Sequence, residues 1–305
     1  MLSRILNWQK RILPSVPLLL LHAPQFPVFE VSQAALYNPQ VILLTGASRG
    51  IGRSIAEYLL SSPSQHRLVV TARTGGPLLQ LANKYPSQVA ILKGDHSDPA
   101  IGQEAVKLAV SKFQQLDGVV VNHATPEPVM RLADSNSHEW RNAYDVNFFS
   151  AVSILQTALP QLRMSRGRVV LVSSTTSVTP FRSLGAYGST KAALNHLAAV
   201  LHEEEEAITA VAIRPGEVDT ELQRNLREKY AACGMMPSAD AAKFHALKHN
   251  GGLLPPSVPA RVIGELVLNA SRDVGGRVFR WDDEILSPFV EREAIQTSSN
   301  NTICR

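Results

Sequence analysis

The chain has 305 residues, of which 45% are hydrophobic and 18% charged, enough apolar material for one large α/β domain or two small ones. Its net charge of +4 comes without a basic run, and no segment has the ~18 apolar residues of a membrane span, so neither a nucleic acid nor a membrane is expected as a partner. The two cysteines, Cys233 and Cys304, provide no disulfide framework, which indicates a reducing compartment such as the cytoplasm.

Residues 1–38 differ in composition from the rest of the chain. They contain Arg4, Lys10 and Arg11 but no acidic residue before Glu30, which is typical of a mitochondrial presequence. Four prolines between positions 14 and 27 interrupt any long amphipathic helix. We predict an N-terminal extension, with mitochondrial targeting, an unstructured segment and a mis-assigned start codon as the alternatives.

From Val41 onwards, short apolar runs alternate with helical patterns. The predicted strands are 41–45, 67–72, 89–94, 118–122, 168–173, 208–213 and 276–281. The predicted helices are 49–61, 77–85, 99–115, 138–164, 185–205 and 258–271. Because helices between parallel strands cover both faces of a sheet, this alternation predicts a single α/β domain over 39–282, with a Rossmann-type, doubly wound parallel sheet of about seven strands.

Two stretches depart from this alternation. Residues 217–256 are less regular and end in paired glycines and prolines, which predicts a mobile lid over a substrate pocket. Residues 283–305 are polar and predict a loose C-terminal tail. No metal site is predicted, since His245 and His249 have helical spacing but no third ligand.

The first strand runs directly into TGASRGIG (45–52), a glycine-rich turn. A sharp turn from strand to helix and the close approach of a pyrophosphate both require glycine, and the helix N-terminus offers free N–H groups to the anion. The position at the first strand–helix junction therefore predicts a dinucleotide-binding loop. Its predicted cofactor contacts are Gly46, Ser48, Arg49, Gly50, Ile51 and Gly52.

Side chains near this loop favour NADP(H) over NAD(H). Arg49 lies in the loop, and Arg73 follows the second strand, where an acid would bond the 2′-hydroxyl of NAD. No Asp or Glu occurs between Glu57 and Asp95. Asp95 follows the third strand, and we expect it to accept a hydrogen bond from the adenine amine, with loop capping as the alternative.

A serine, a tyrosine and a lysine have spacing suited to carbonyl chemistry. Tyr187 comes thirteen residues after Ser174, and Lys191 shares a helix face with it at i+4. Hydride transfer to a carbonyl leaves an alkoxide that needs a proton, which a tyrosine can donate when a nearby ammonium lowers its pKa. Lys191 can also hold the nicotinamide ribose, and the serine hydroxyl the substrate oxygen. Ser173 is the alternative serine, although the spacing favours Ser174.

Together, TGASRGIG, Ser174, YGSTK (187–191) and RPGEVDT (214–220) resemble short-chain dehydrogenases/reductases over residues 40–281. The resemblance implies that Asn147, in DVNFFS, completes a tetrad by holding a water that relays protons to the lysine, with a helix-kink residue as the alternative. It also implies that both Tyr187 and Lys191 touch the cofactor. The other cofactor contacts that it implies are Asn122, Pro215, Gly216, Val218 and Thr220.

One loop departs from the family pattern. Where the family usually shows Asn-Asn-Ala-Gly, this chain has Val121-Asn122-His123-Ala124. The resemblance implies that the loop packs beside the adenosine ribose, so the substitution is expected to weaken cofactor binding or to shift the backbone. His123 is interpreted as a packed or solvent-facing residue and not as a catalytic one.

Within the family, strings such as DGVVVN, DVNFFS and PGEVDT resemble the fungal benzil reductase group, which is similar to sepiapterin reductases. This resemblance implies NADPH-dependent reduction of one carbonyl of a diketone. In the wider family, helices 138–164 and 185–205 form a dimer or tetramer bundle, so a homodimer is expected here; the alternative is that the apolar faces of these helices are covered within the monomer. The alternative is a dinucleotide-binding regulator that has lost catalysis, but such proteins typically lose part of the tetrad, and this chain retains all four residues.

Overall fold

A seven-stranded parallel sheet forms the centre of the protein in a computed structural model that describes residues 38–290. Its strands are β1 Val41–Thr45, β2 Arg67–Ala72, β3 Val89–Lys93, β4 Gly118–Val121, β5 Arg168–Val172, β6 Thr209–Arg214 and β7 Val278–Arg280. Their order is β3-β2-β1-β4-β5-β6-β7, and every pairing is parallel. The strand order reverses between β1 and β4, as in a doubly wound sheet, so the predicted fold class is confirmed.

Helices connect the strands and cover the sheet. They are α1 Gly50–Leu60, α2 Gly75–Lys84, α3 Pro99–Phe113, α4 Ser137–Tyr144, α5 Ser150–Ser165, α6 Gly185–Glu204, α7 Glu221–Asn225, α8 Ser238–His249, α9 Ser257–Asn269 and α10 Ser287–Val290. The single helix predicted over 138–164 is instead two helices, α4 and α5, joined by a π-helical turn at Asp145–Phe149.

Alternate residues of β1 point into two separate hydrophobic cores. Ile42 and Leu44 pack with buried residues of α1, α2 and α9, whereas Val41 and Leu43 pack with those of α3, α5 and α6. All four side chains are at most 1% exposed. A strand covered on both faces needs apolar residues at every position, which explains the continuous apolar run at 41–45.

The segment 217–256 is more regular than its sequence indicates. It contains α7, a π-helical turn at Leu226–Tyr230 and α8. Its apolar side chains join those of two other loops in a third apolar cluster, which consists of the buried residues Val129, Leu184, Leu226, Tyr230, Met236 and Ala241. None of these residues belongs to the two cores on the sheet faces.

The chain remains packed beyond residue 283, where the loose tail was predicted to begin. Leu286 is fully buried and Phe289 is 6% exposed, and both belong to the core that contains α1 and α9. Burial of these two side chains holds the segment through α10 against the domain. The remaining tail, 291–305, lies outside the described residues, as do residues 1–37 of the predicted N-terminal extension.

Candidate active site

A cleft of about 480 Å³ opens at the carboxyl edge of the sheet, near the point where the strand order reverses. It brings together the predicted site residues Gly46, Ser48, Arg49, Gly50, Ile51, Gly52, Arg73, Asp95, Asn122, Ser174, Tyr187, Lys191, Pro215, Gly216, Val218 and Thr220. Asn147 does not line the cleft; it is fully buried nearby. Residues that are far apart in the chain therefore meet because parallel strands all end at this edge.

The glycine-rich loop has the geometry of an anion cradle. Gly46 and Gly50 have φ angles of +69° and +53°, which residues with a Cβ rarely adopt. A Cβ on Gly52 would collide with the carbonyl oxygen of Gly46. Arg49, the N-cap of α1, makes no side-chain cap, so the first N–H groups of this helix are left to bind an anion.

Charged side chains gather at one end of the cleft. Nη1 of Arg73 lies 3.8 Å from Oδ2 of Asp95, and Nη1 of Arg49 donates to Oε2 of Glu221 at 2.7 Å. The other carboxylate oxygen of Asp95 accepts from the Ser97 N–H at 3.0 Å, so this residue does cap its own loop. Two guanidinium groups beside a phosphate-binding loop suit a phosphorylated ribose.

The segment after β6 forms a further wall of the cleft. Gly216 has φ +79°, and a Cβ there would lie 3.0 Å from Nε1 of Trp281. Val218 forms an isolated parallel bridge with Leu254, and Thr220 caps α7 by accepting from the Gln223 N–H at 3.3 Å. These contacts position the wall directly beside the phosphate loop, since a Cβ on Gly50 would meet the methyl group of Thr220 at 3.2 Å.

Tyr187 and Lys191 lie one turn apart on α6 and are both buried. Nζ of Lys191 donates to the Val172 carbonyl at 2.7 Å and lies 5.8 Å from the centre of the Tyr187 ring. Burial lowers the pKa of Lys191 to about 7 and raises the pKa of Tyr187 to about 12, although the hydrogen bond with Ser174 acts to lower the latter. The expectation that the neighbouring ammonium lowers the pKa of the phenol is therefore wrong for this structure, because burial dominates. At neutral pH the phenol is protonated, as a proton donor must be.

The two adjacent serines have different surroundings. Oγ of Ser174 accepts from the N–H and the hydroxyl of Thr176, at 3.2 and 2.9 Å, and Ser174 also hydrogen-bonds to Tyr187. Oγ of Ser173 instead lies 3.1 Å from Oγ of Ser177 and 3.4 Å from the Lys191 carbonyl. Ser174, and not Ser173, is thus the serine beside the phenol.

Asn147 lies on the π-helical turn, and both ends of its amide are hydrogen-bonded. Its Oδ1 accepts from the Thr125 N–H at 2.8 Å, while its Nδ2 donates to the Thr125 carbonyl at 2.9 Å and to Oγ1 of Thr190 at 3.1 Å. Thr190 donates in turn to the Tyr187 carbonyl at 2.7 Å. Asn147 therefore ties the loop after β4 to the helix that carries the tyrosine.

Sequence reasoning missed a pair of stacked histidines under the cleft. The rings of His96 and His123 are 4.0 Å apart between centroids and 18° from parallel, and both line the cleft. His123 is thus packed, one of the two environments expected for it. The only sequence signal was that each histidine follows the end of a predicted strand, and alternation alone does not predict that these two loops meet.

The far end of the cleft is apolar, which the sequence did not reveal. The apolar side chains that line this end of the cleft are Phe181, Leu184, Leu222, Leu226, Phe244 and Leu247. Most of these side chains come from the segment 217–256, and Leu184 and Leu226 belong to the third apolar cluster. Within residues 38–290, no helix is long and apolar enough to cross a bilayer, and no three metal-ligating side chains are grouped together.

Comparison with known proteins identifies close relatives. Residues 40–231 match the family model of the short chain dehydrogenases. An oxidoreductase of Saccharomyces cerevisiae, named as uncharacterized, is 40% identical over 82% of this chain and 99% of its own length. Benzil reductase ((S)-benzoin forming) of the same yeast is 38% identical over 82% of this chain and 98% of its own length.

Solved structures of similar proteins share the fold along nearly their whole length. The crystal structure of the first yeast relative has a TM-score of 0.80 at 39% identity, and the comparison covers 82% of this chain and 99% of that one. The KRED1-Pglu enzyme has a TM-score of 0.76 at 34% identity, covering 79% of this chain and all of the other. This protein belongs to the short-chain dehydrogenase/reductase family and is an oxidoreductase of that type.

Proposed function

We propose that the protein is an NADPH-dependent carbonyl reductase that converts a ketone or diketone of a small molecule to the alcohol, with Tyr187 as the general acid. The observation that carries this proposal is the convergence of Ser174, Tyr187 and Lys191 in one cleft, between a phosphate cradle and an apolar lining. The phenol is protonated at neutral pH, and Ser174 hydrogen-bonds to it. The benzil reductase relative supports the same reaction class.

The proposed cofactor is NADP(H), which supplies the hydride when bound. The cradle at Gly46, Gly50 and Gly52 fits a dinucleotide because a side chain at any of the three would be strained or would collide. Arg49 and Arg73 favour the 2′-phosphate, since both present guanidinium groups beside the loop. The remaining proposed contacts are Ser48, Ile51, Asp95, Asn122, Pro215, Gly216, Val218 and Thr220.

In the proposed reaction, Ser174 and Tyr187 both act on the substrate oxygen. The serine hydroxyl binds the carbonyl oxygen and orients it, and the phenol donates the proton as negative charge develops there. In its protonated form Lys191 stabilises the phenolate that results, because its Nζ lies 5.8 Å from the centre of the ring. We propose that Asn147 completes the tetrad by holding a water that relays protons to Lys191, and that its amide also holds the loop after β4 and α6 in register.

The apolar end of the cleft supports an aromatic or otherwise apolar substrate. Phe181 and Phe244 lie 6.2 Å apart between ring centroids at this end. Burial of an aromatic group here would add binding energy without a charged partner. We propose that the segment 217–256, which provides most of this lining, acts as the lid of the substrate site.

Further proposals concern assembly and location. We propose a homodimer, supported by the 53% exposure of Phe149, directly before α5, and the 72% exposure of Met164, near the end of α5. Analytical ultracentrifugation would report the oligomeric state, and a monomer at micromolar concentration would contradict the proposed homodimer.

The cytoplasmic location stays a prediction, as does the mitochondrial alternative, which depends on residues outside the described range.

Turnover with a substrate panel tests the proposed reaction. We expect NADPH, and much less NADH, to be consumed with α-diketones, quinones or aldehydes. Tyr187→Phe should lower turnover at least ~100-fold, because the proton donor is lost, while NADPH still binds. Arg73→Asp should shift the preference towards NADH.

Two results would argue against this function. Cofactor binding without turnover on the whole panel, in the wild type as in Tyr187→Phe, would support the alternative, a catalytically silent dinucleotide-binding regulator. Turnover that survives in Tyr187→Phe would exclude the phenol as the general acid.

A further inference from the structure

The loop after β4 carries an imidazole, His123, at a point where two parts of the site meet. We propose that His123 is a positioning residue that holds the phosphate loop and the π-helical turn with Asn147 in a fixed relation, and that it acts on turnover through Asn147. This inference rests on the proposed function, and it adds a residue that the family pattern does not contain.

His123 contacts the phosphate loop with both its ring and its backbone. Its Nδ1 lies 2.7 Å from Oγ1 of Thr45, the first residue of TGASRGIG, and its backbone N–H donates to the same hydroxyl at 3.3 Å. A Cβ on Gly46 would come within 2.9 Å of the Cα of His123. The first turn of the phosphate loop therefore rests directly on this residue.

The other ring nitrogen reaches the π-helical turn. In an α-helix the Ser150 N–H would donate to the Val146 carbonyl, but here it donates to the Asp145 carbonyl one residue earlier. The Val146 carbonyl, which has lost this α-helical donor, lies 2.9 Å from Nε2 of His123 and accepts from Oγ of Ser150 at 2.6 Å. The imidazole thus contacts the Val146 carbonyl and the Ser150 hydroxyl at the place where the turn changes the helical pattern.

Both ring nitrogens of His123 face hydrogen-bonding groups. Nε2 lies 2.9 Å from the Val146 carbonyl and 2.8 Å from Oγ of Ser150, and Nδ1 lies 2.7 Å from Oγ1 of Thr45. In either neutral tautomer one ring nitrogen donates a hydrogen bond and the other accepts one. Burial lowers the pKa of His123 well below its usual range, in keeping with a neutral ring. One ring thereby hydrogen-bonds both to the phosphate loop and to the π-helical turn.

His96 holds the ring from one face. It stacks on His123 at a centroid distance of 4.0 Å, and its own Nε2 is anchored 2.6 Å from Oγ1 of Thr71 on β2. His96 is only 4% exposed. Stacking against an anchored ring restricts rotation of the imidazole, so both hydrogen bonds can be kept at once.

The connection continues from the turn to the reacting groups. Asn147 follows Val146 directly, and its amide bonds Thr190, which bonds the Tyr187 carbonyl. A displacement of the turn would therefore move Asn147 relative to the tyrosine. A displacement of about 1 Å in a catalytic site can lower turnover about 100-fold.

Three substitutions at His123 separate its contact with the phosphate loop from its contact with the π-helical turn. His123→Phe keeps the stacked ring and removes both hydrogen bonds. His123→Gln can place an amide N–H near the former Nε2, towards Val146, whereas His123→Asn can place an amide oxygen near the former Nδ1, towards Thr45. His138→Phe, on the exposed face of α4, is the matched control.

We expect His123→Phe to lower kcat roughly tenfold or more and to weaken NADPH binding. His123→Gln should recover kcat but not NADPH affinity, and His123→Asn should recover affinity but not kcat. In the double variant His123→Phe/Asn147→Ala, kcat should fall no further than in Asn147→Ala alone. NADPH affinity is measured by fluorescence titration without substrate.

The outcome distinguishes this inference from the proposed function. Additive losses of kcat in the double variant, or equal kcat in the Gln and Asn variants, would overturn the positioning role in an active enzyme. A wild type that turns over no substrate would reject the proposed function, and the NADPH affinities would still test the link to the phosphate loop. If His123→Phe does not fold, the comparison of Gln with Asn decides alone.

Discussion

Burial sets the protonation state of several side chains under the cleft. Loss of water disfavours the charged form, so it lowers the pKa of the Lys191 ammonium and the His96 imidazole and raises that of the Tyr187 phenol. Each group is pushed towards its neutral form. The Tyr187 phenol is therefore neutral at pH 7, which is the form that can donate a proton.

The same effect predicts acid sensitivity through His96. Its pKa is about 4 in the folded protein because of burial, against 6.5 when exposed. The unfolded chain therefore binds more protons between these values, and stability is full above about pH 6.5 and is lost as the pH falls towards 4. At pH 5 the loss from this group should be ~2 kcal/mol of the free energy of unfolding.

Urea unfolding at pH 7.5 and pH 5 measures this loss. His96→Phe, which keeps a stacked ring, should remove that part of the pH dependence, whereas the control His138→Phe should retain all of it. An identical pH dependence in wild type and His96→Phe would show that the imidazole is not buried in its neutral form.

The catalytic candidates could be predicted from the sequence because their relation is local. Tyr187 and Lys191 are one helical turn apart, and Ser174 lies two residues after the end of the strand that precedes this helix. The contact between His96 and His123 could not be predicted in this way. It depends on how two loops from separated strands fold over the sheet edge, and no spacing along the chain encodes that distance.

At the scale of elements, the phosphate loop depends on a close approach between its two ends. The helix α1 begins so near to the end of β1 that Gly52 faces the carbonyl of Gly46. Asn122 closes the same turn from β4 by donating to the carbonyls of Thr45 and Gly46, at 3.1 and 3.2 Å. A side chain between these groups would push the loop open.

Gly52→Ala should therefore raise the dissociation constant of NADPH at least ~10-fold and destabilise the protein. Gly76→Ala is the matched control, because a Cβ at this position in α2 would have no other atom within 4 Å. The control should bind NADPH as the wild type does and gain ~0.5 kcal/mol or more of stability from lower chain entropy. Unchanged NADPH binding in Gly52→Ala would contradict the close approach.

The bounds of most helices and strands could be predicted from apolar periodicity, but the presence of the π-helical turn could not. One extra residue in a helix shifts the pattern only slightly, so 138–164 has the pattern of one continuous helix. The distinction matters because Asn147 lies in the turn and Val146 offers its carbonyl there. The helices of segment 217–256 were not predicted for a different reason: α7 has only five residues, and α8 buries only Asp240 and Ala241, so neither has an apolar face like that of a helix packed on the sheet.

At the scale of the whole molecule, the chain closes its core with residues beyond the last strand. Phe289 on α10 is 6% exposed and packs in the core with α9. A polar composition after 283 concealed this contact, because only two side chains, Leu286 and Phe289, are buried there within the described part of the chain. A buried aromatic ring can hold a short helix that has little stability of its own.

Phe289→Ala should lower the free energy of unfolding by about 3 kcal/mol, since the substitution leaves a cavity in the core. Ile285→Ala, at a side chain that is 40% exposed, is the control and should cost less than ~1 kcal/mol. Thermal or urea unfolding measures both variants. Equal losses in the two would show that Phe289 is not part of the core.

The third apolar cluster has a consequence for how such a protein changes over generations. Its residues line the far end of the cleft through Leu184 and Leu226, yet none of them packs in either core of the sheet. Mutations that reshape this end leave the sheet and the phosphate loop unaltered. The ligand specificity of this end can therefore change by single substitutions, while the fold that positions the catalytic residues is retained.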